Sequence, residues 1–242
     1  MTRGSALGVI PVRYGSSRFP GKPLAPILGR PMIQWVWEGA SRAARLGRLV
    51  VATDDVRILE AARGFGAEAE MTSSGCASGT DRAAEVAARH DAAIIVNIQG
   101  DEPLITGDML DPLVEAIEAG EADMASLMIR DSDPARLRDP NVVKVVVDIG
   151  GRALYFSRAP LRSDISDYFY RHIGIYAFRR EVLLGYAALP PSRLEKAERL
   201  EQLRALDNGL RIRMIETSRP TLSVDAPGDI IGVENHLSRH PS

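Results

Sequence analysis

A chain of 242 residues is long enough to bury a sizeable α/β core, and its 45% hydrophobic and 26% charged content is that of an ordinary globular protein. A net charge of −2 argues against bulk nucleic-acid binding. No apolar stretch approaches the roughly 20 residues of a membrane span, no secretory h-region is found, and the single Cys76 excludes an internal disulfide, so a cytoplasmic setting is expected.

The first apolar run, residues 7–10, predicts a strand that empties into a loop carrying Arg13, Gly15, Arg18, Gly21 and Lys22. Glycines let backbone N–H groups approach oxygens closely and the cations neutralise charge, so such a loop suits polyphosphate. It is not a Walker A loop, because five residues separate Gly15 from Gly21 and Pro23 stands where a Ser or Thr would bind magnesium. No G-x-G-x-x-G follows the strand either. Only three of the 30 basic residues are lysine, at 22, 144 and 196, which adds weight to Lys22 as a compact ammonium in that loop.

Pro31 then suits the first turn of a helix in which Met32, Ile33, Val36 and Ala40 repeat at helical spacing. Residues 49–52 predict a second strand, and Asp54 or Asp55 caps the next helix, which ends near Gly66. Ser78 to Arg82 open a further helix over 83–89, and residues 93–98 are the clearest buried strand. Strands follow over 142–147, 153–156 and 173–178. Ser192 and Glu195 form a capping box opening a helix that stops at Asn208-Gly209. Residues 211–215 and 221–224 predict late strands, and Pro227 starts a last helix. The alternation predicts an α/β fold with a doubly wound, mostly parallel sheet and a β-rich C-terminal elaboration, in one domain over 1–242. Trp35 and Trp37 are expected to serve packing.

Ligands of a doubly wound sheet lie at the carboxyl ends of its strands, where the loops 11–22, 53–55, 99–103 and 225–227 fall. Asp101, directly after the buried strand, can ligate a hard cation such as Mg²⁺, and Asp225 stands in an equivalent setting. The competing reading makes each a helix cap, with Asp225 beside Pro227 evenly balanced between the two.

Several motifs resemble, in order and nearly end to end, the cytidylyltransferase family that includes CMP-Kdo synthetase, which joins CMP from CTP to the eight-carbon sugar acid Kdo. The most specific are Arg18-Phe19-Pro20-Gly21-Lys22-Pro23-Leu24, Val51-Ala52-Thr53-Asp54-Asp55, Ser78-Gly79-Thr80-Asp81-Arg82 and Asn97-Ile98-Gln99-Gly100-Asp101-Glu102-Pro103. Arg171-His172-Ile173-Gly174-Ile175-Tyr176 and Leu200-Glu201-Gln202-Leu203-Arg204 extend the series. The resemblance implies a Rossmann-like fold of the nucleotide-diphospho-sugar transferase type, a homodimer, and the substrates CTP and a small anionic acceptor.

By the same resemblance Arg13 and Lys22 hold the CTP phosphates, beside Pro11, Val12, Gly15 and Ser16. Ser78, Gly79, Thr80 and Arg82 enclose the nucleotide, and Asp101 with Asp225 ligates Mg²⁺. Lys22, Arg13 and Asp101 carry the catalysis. Arg158, His172, Tyr176, Glu201 and Gln202 line the acceptor pocket, with Gln99 between the two substrates. Considered without the family, His172 is a satisfied strand histidine, and Glu201 and Gln202 are the polar face of a capped helix. The segment 159–170 is shorter than is usual for Kdo synthetases and carries Arg162, so phosphonoformate or a similar phosphonate is the alternative acceptor. A non-catalytic nucleotide-binding regulator is the alternative of another class, opposed by the joint presence of Lys22, Asp101 and Asp225.

Overall fold

The structure is a computed structural model that describes residues 5–16, 18–120, 122–161 and 167–240. Two compact units divide the chain, one formed by residues 1–111 with 220–242 and the other by 112–219.

The first unit is built on a parallel sheet. Strands β1 (Ala6–Val12), β4 (Leu46–Thr53), β5 (Glu68–Met71) and β6 (Ile94–Asn97) lie in the order β6-β1-β4-β5, and the two-residue strands β2 (Pro26–Ile27) and β3 (Arg30–Pro31) form a separate hairpin. Every residue of β1 is buried, as expected of a central parallel strand covered on both faces. Pairing in register, Ile10↔Val51 and Leu7↔Ile95, brings the strands' carboxyl ends to one side. Helices α1 (Met32–Ala40), α2 (Val56–Gly64) and α3 (Gly79–Arg89) follow β3, β4 and β5. The expected apolar stripe of α1, Met32, Ile33, Val36 and Ala40, is fully buried.

Pro11 in a central strand would ordinarily leave a hole in the ladder. Here β6 ends at Asn97, and Ile98 N–H already donates to Val9 C=O at 2.8 Å. Since residues 9 and 11 point the same way, the donor Pro11 lacks falls where no partner strand remains. Gly100 takes that space: a Cβ there would lie 2.2 Å from Val12 Cγ1 and 3.3 Å from Pro11 C=O. The strand end and the 99–103 loop thus meet closely, with the Gly100 backbone against the Val12 side chain and Pro11 C=O.

The C-terminal helix Asp229–Arg239 closes this unit through a small core of Ile27, Met32, Leu104, Val224 and Val233, against which Phe19 and Trp35 pack. Two expectations change here. Residues 221–224 are not a strand, because their polar groups serve a loop: Val224 N–H donates to Asp101 C=O at 2.9 Å and Val224 C=O accepts from Lys22 Nζ at 2.8 Å. The last helix begins at Asp229 instead of Pro227, with Gly228 as its N-cap.

Helix α4 (Gly107–Glu118) leads into the second unit, a mixed sheet of β7 (Met124–Asp131), β8 (Lys144–Val147), β9 (Ala153–Ser157), β10 (Phe169–Arg179) and β11 (Ile212–Glu216). β7 runs parallel to β11 and antiparallel to β10, and β8 pairs antiparallel with β10 and β9, so the β-rich C-terminal half is present. Helices α5 (Pro134–Arg138), α6 (Arg180–Ala187), α7 (Arg193–Glu198) and α8 (Gln202–Asp207) complete it. The helix expected over 192–208 opens on its capping box, then breaks at Arg199, whose φ of 55° is left-handed. Arg158 holds the break, donating from Nε to Glu198 C=O at 3.1 Å.

Candidate active site

A cleft of about 280 Å³ opens at the carboxyl ends of β1 and β6. Its lining includes Pro11, Val12, Arg13, Ser16 and Lys22, with Ser78, Gly79 and Arg82 from the start of α3 and Gln99, Asp101 and Asp225 from the later loops. Of the residues expected around a nucleotide, only Gly15 and Thr80 are missing from this lining. Thr80 is buried, and its hydroxyl accepts from Asn97 Nδ2 at 3.1 Å, tying α3 to β6.

Local chemistry sets each position. Gly21 takes φ 72°, which lets its N–H return to Tyr14 C=O at 2.9 Å and fold the basic loop back on itself. The 3₁₀ turn Lys22–Leu24 follows directly. Lys22 Nζ donates to Asp101 Oδ2 at 2.7 Å and to Val224 C=O at 2.8 Å, so one ammonium fastens three segments of the cleft. Arg18 pairs with Asp225 Oδ1 at 2.8 Å, and both side chains are exposed.

The cap reading fails for both aspartates. The last helix has Gly228 at its N-cap with no side-chain cap, and Asp229 Oδ2 accepts from the N–H groups of Asp225 and Ala226, each at 2.8 Å, while the Asp225 carboxylate goes to Arg18. Asp101 spends its carboxylate on Lys22 instead of on a helix end. Among the described residues no three His, Cys, Asp or Glu side chains form a ready metal cage. The donor set nonetheless fits Mg²⁺: two oxygen ligands, each already holding a cationic group, match an ion that takes its other ligands from phosphate and water.

The start of α3 is the second built feature. Ser78 Oγ accepts from Asp81 N–H at 3.1 Å while Asp81 Oδ2 accepts from Ser78 N–H at 3.0 Å. This reciprocal cap leaves Gly79 as the first helical residue, where a Cβ would lie 3.2 Å from Pro11 Cγ. Arg82, 3% exposed, does not reach out freely: its guanidinium binds Asp54 Oδ2 at 3.0 Å and the Thr72 hydroxyl. It shapes the wall from behind. Asp55, in turn, is the residue that caps α2, accepting from Arg57 N–H at 3.0 Å.

Arg18, expected among the cations of the polyphosphate loop, also lines the cleft, and so does Cys76, which no sequence signal marked. Burial and a hydrogen bond to Glu85 push the Cys76 thiol up to about 11, so it stays protonated and is no nucleophile.

Apart from Gln99, which lines the cleft, the expected acceptor residues fall in the second unit. His172, Tyr176 and Gln202 are buried and joined: Tyr176 O–H donates to Gln202 Oε1 at 3.3 Å, and Gln202 Nε2 lies 3.5 Å from His172 Nδ1. Ser126, which no sequence signal marked, meets His172 Nε2 at 2.8 Å. Glu201 C=O accepts from the Tyr186 hydroxyl. Arg158 commits its guanidinium to main-chain carbonyls of Pro140 at 3.0 Å and Glu198 at 3.1 Å, and its own N–H donates to Glu198 Oε2 at 2.9 Å. Arg162 lies outside the described residues.

Burial drives His172 down to about 3, with a smaller push from Arg171, so the ring is neutral at physiological pH. An unfolded histidine titrates near 6.5, so between these values the unfolded chain carries a proton that the folded one does not. Stability is therefore intact above that window and falls as pH drops through it, by about 1.4 kcal/mol per pH unit. Between pH 7 and 4.5 the wild type should lose about 2–3 kcal/mol more than His172→Gln in urea unfolding. Equal losses would mean that His172 accepts a proton in the fold without penalty.

Residues 7–212 match the model of a family described as cytidylyltransferase. A 3-deoxy-manno-octulosonate cytidylyltransferase from Syntrophotalea carbinolica is 51% identical, over 96% of this chain and 98% of its own. An 8-amino-3,8-dideoxy-manno-octulosonate cytidylyltransferase from Shewanella pealeana is also 51% identical, over 95% and 97%. A solved CMP:2-keto-3-deoxy-manno-octonic acid synthetase complexed with CTP superposes with a TM-score of 0.92 at 42% identity, covering 98% of this chain and 99% of that one. Among the described residues, no helix is long and apolar enough to cross a membrane.

Proposed function

The chain belongs to the cytidylyltransferase family, and from that membership we propose that it transfers CMP from CTP to Kdo and releases pyrophosphate. The cleft carries the reading: Arg13, Lys22, the start of α3 and two carboxylates gather at the strand ends of a chain 42% identical to a synthetase complexed with CTP.

In the proposed reaction a nucleophilic oxygen of the acceptor attacks the α-phosphorus of CTP. The bond to the bridging oxygen breaks, and pyrophosphate leaves with the electron pair. Little covalent work falls to the protein, so positioning and charge neutralisation carry the rate. Arg13 and Lys22 bind the triphosphate oxygens. Lys22, with three donors, turns one of them from Asp101 to phosphate while keeping its hold on Val224 C=O. The first amide of α3, at Gly79, offers an N–H at the positive end of the helix, and Gln99 lies beside it, its Oε1 3.5 Å from where a Cβ on Gly79 would stand. Asp101 and Asp225 would hold Mg²⁺, which when bound neutralises charge on the phosphate oxygens. His172, Tyr176, Gln202 and Glu201 recognise the acceptor's hydroxyls and carboxylate. Arg158 supports them by holding the α7–α8 break. The homodimer, the Mg²⁺ dependence and the cytoplasmic setting are parts of the same proposal.

The Shewanella relative supports a second acceptor, the 8-amino analogue. Pyrophosphate release from CTP with Kdo, its 8-amino analogue and phosphonoformate separates these. Sites built to hydrogen-bond a hydroxyl reject analogues lacking it by about 10⁴–10⁵ in strong cases. We expect turnover with Kdo to exceed that with phosphonoformate by orders of magnitude. Turnover of the 8-amino sugar alone would select the second reading, and turnover of phosphonoformate alone would overturn both.

A further inference from the structure

The hydroxyl of Ser126 lies 2.8 Å from His172 Nε2, 2.8 Å from Ile175 C=O and 3.2 Å from Ile173 C=O. It has one proton to give. Two oxygens 2.8 Å apart need that proton between them, and a carbonyl cannot supply it. The Ser126 O–H therefore points into the main chain of β10, and its oxygen must accept from His172. This fixes the proton of the neutral imidazole on Nε2 and leaves Nδ1 as an acceptor.

The consequence runs outward. An acceptor at Nδ1 faces the amide nitrogen of Gln202, 3.5 Å away, which sets the amide with Oε1 towards the Tyr176 hydroxyl at 3.3 Å. Every bond in the chain then points one way, from Tyr176 through Gln202 and His172 to Ser126 and Ile175 C=O. Reversing the histidine tautomer would turn the amide over and exchange donors for acceptors at Gln202 and Tyr176.

Local structure supports the arrangement. The β7–β10 register passes from Ile173↔Leu127 to Tyr176↔Ser126, so two extra residues of β10, Gly174 and Ile175, bulge opposite Ser126. A small hydroxyl residue fits the widened gap and satisfies the carbonyls the bulge turns inward. Phe156 packs edge-on to the imidazole, with centroids 5.0 Å apart, and holds its plane.

We infer that Ser126 is a positioning residue for acceptor specificity: through the tautomer of His172 it sets which of Gln202 and Tyr176 donates and which accepts towards the ligand. The kinetic consequence rests on the acceptor reading given above; the tautomer does not.

Ring-nitrogen NMR of ¹⁵N-histidine-labelled, ligand-free enzyme tests the first step, with His172 assigned by difference from His172→Gln. We expect Nε2 protonated and Nδ1 bare in the wild type, and the same pattern in Ser126→Thr, which keeps the hydroxyl. In Ser126→Ala the pattern should move towards the other tautomer. Steady-state kinetics test the second step: Ser126→Ala should raise the acceptor KM about tenfold, the effect of one lost buried hydrogen bond, with the CTP KM unchanged within about twofold. A proton on Nδ1 in the wild type would overturn the proposal, and that spectrum decides even if the alanine variant fails to fold. An unchanged ring pattern and acceptor KM in a folded Ser126→Ala would overturn it equally. Correct ring patterns in an enzyme that ignores Kdo would count against the acceptor reading and leave the assignment of the tautomer standing.

Discussion

Lys22→Ala is expected to lower turnover with CTP by about three orders of magnitude, the scale seen when one preorganised donor to a developing charge is lost. The ammonium is positioned by the 3₁₀ turn that begins at Lys22 itself and is largely shielded, its side chain 13% exposed. A charge so held meets phosphate oxygens with little reorganisation. The truncation also removes the bonds to Asp101 Oδ2 and Val224 C=O, so some stability goes with it, but the cleft's other anchors remain, including Val224 N–H to Asp101 C=O at 2.9 Å. Steady-state pyrophosphate release, with thermal unfolding as a control on the fold, separates the two effects. Turnover within tenfold of wild type in a folded variant would reduce Lys22 to a staple between Asp101 and Val224.

Lys144→Met should be the most damaging single change to the second unit. Lys144 is fully buried, and its ammonium donates to the main-chain carbonyls of Asp139, Val142 and Arg158 at 3.0, 2.7 and 2.6 Å. Burial pulls its pKa below the ordinary lysine range, with Asp139 acting against that pull. Methionine keeps the stem but leaves three carbonyls facing an apolar end. Removing such a partner costs about 3–5 kcal/mol, since the groups left behind keep their desolvation penalty. Urea unfolding reads this directly. A loss below about 1 kcal/mol would mean that water replaces the ammonium without strain.

The first unit was largely legible because its signals are local. The apolar period of α1, the Asp55 cap of α2 and the sequence around Ser78 each state one structure within a few residues. Asp225 was not legible in this way: whether it or Asp229 serves the backbone depends on where the last helix starts, two residues beyond the Pro227 that suggested the start. The break at Arg199 had no signal, because an arginine stands in a left-handed position that glycine would have announced. β7 and α4 went unforeseen, since a run such as Met124–Asp131 reads as strand or helix segment alike. Ser126 was invisible for a deeper reason. Its partner His172 is 46 residues away, and only the β7–β10 register brings them together.

CMP transfer is read from the phosphorus atoms of CTP, followed by ³¹P NMR during turnover with Kdo and Mg²⁺. The α-phosphorus is expected to pass to a phosphodiester with the sugar acid while the β- and γ-phosphorus atoms appear together as pyrophosphate, and ATP or GTP in place of CTP should give far less of either. Release of inorganic phosphate instead of pyrophosphate, or equal turnover with a purine triphosphate, would contradict CMP transfer.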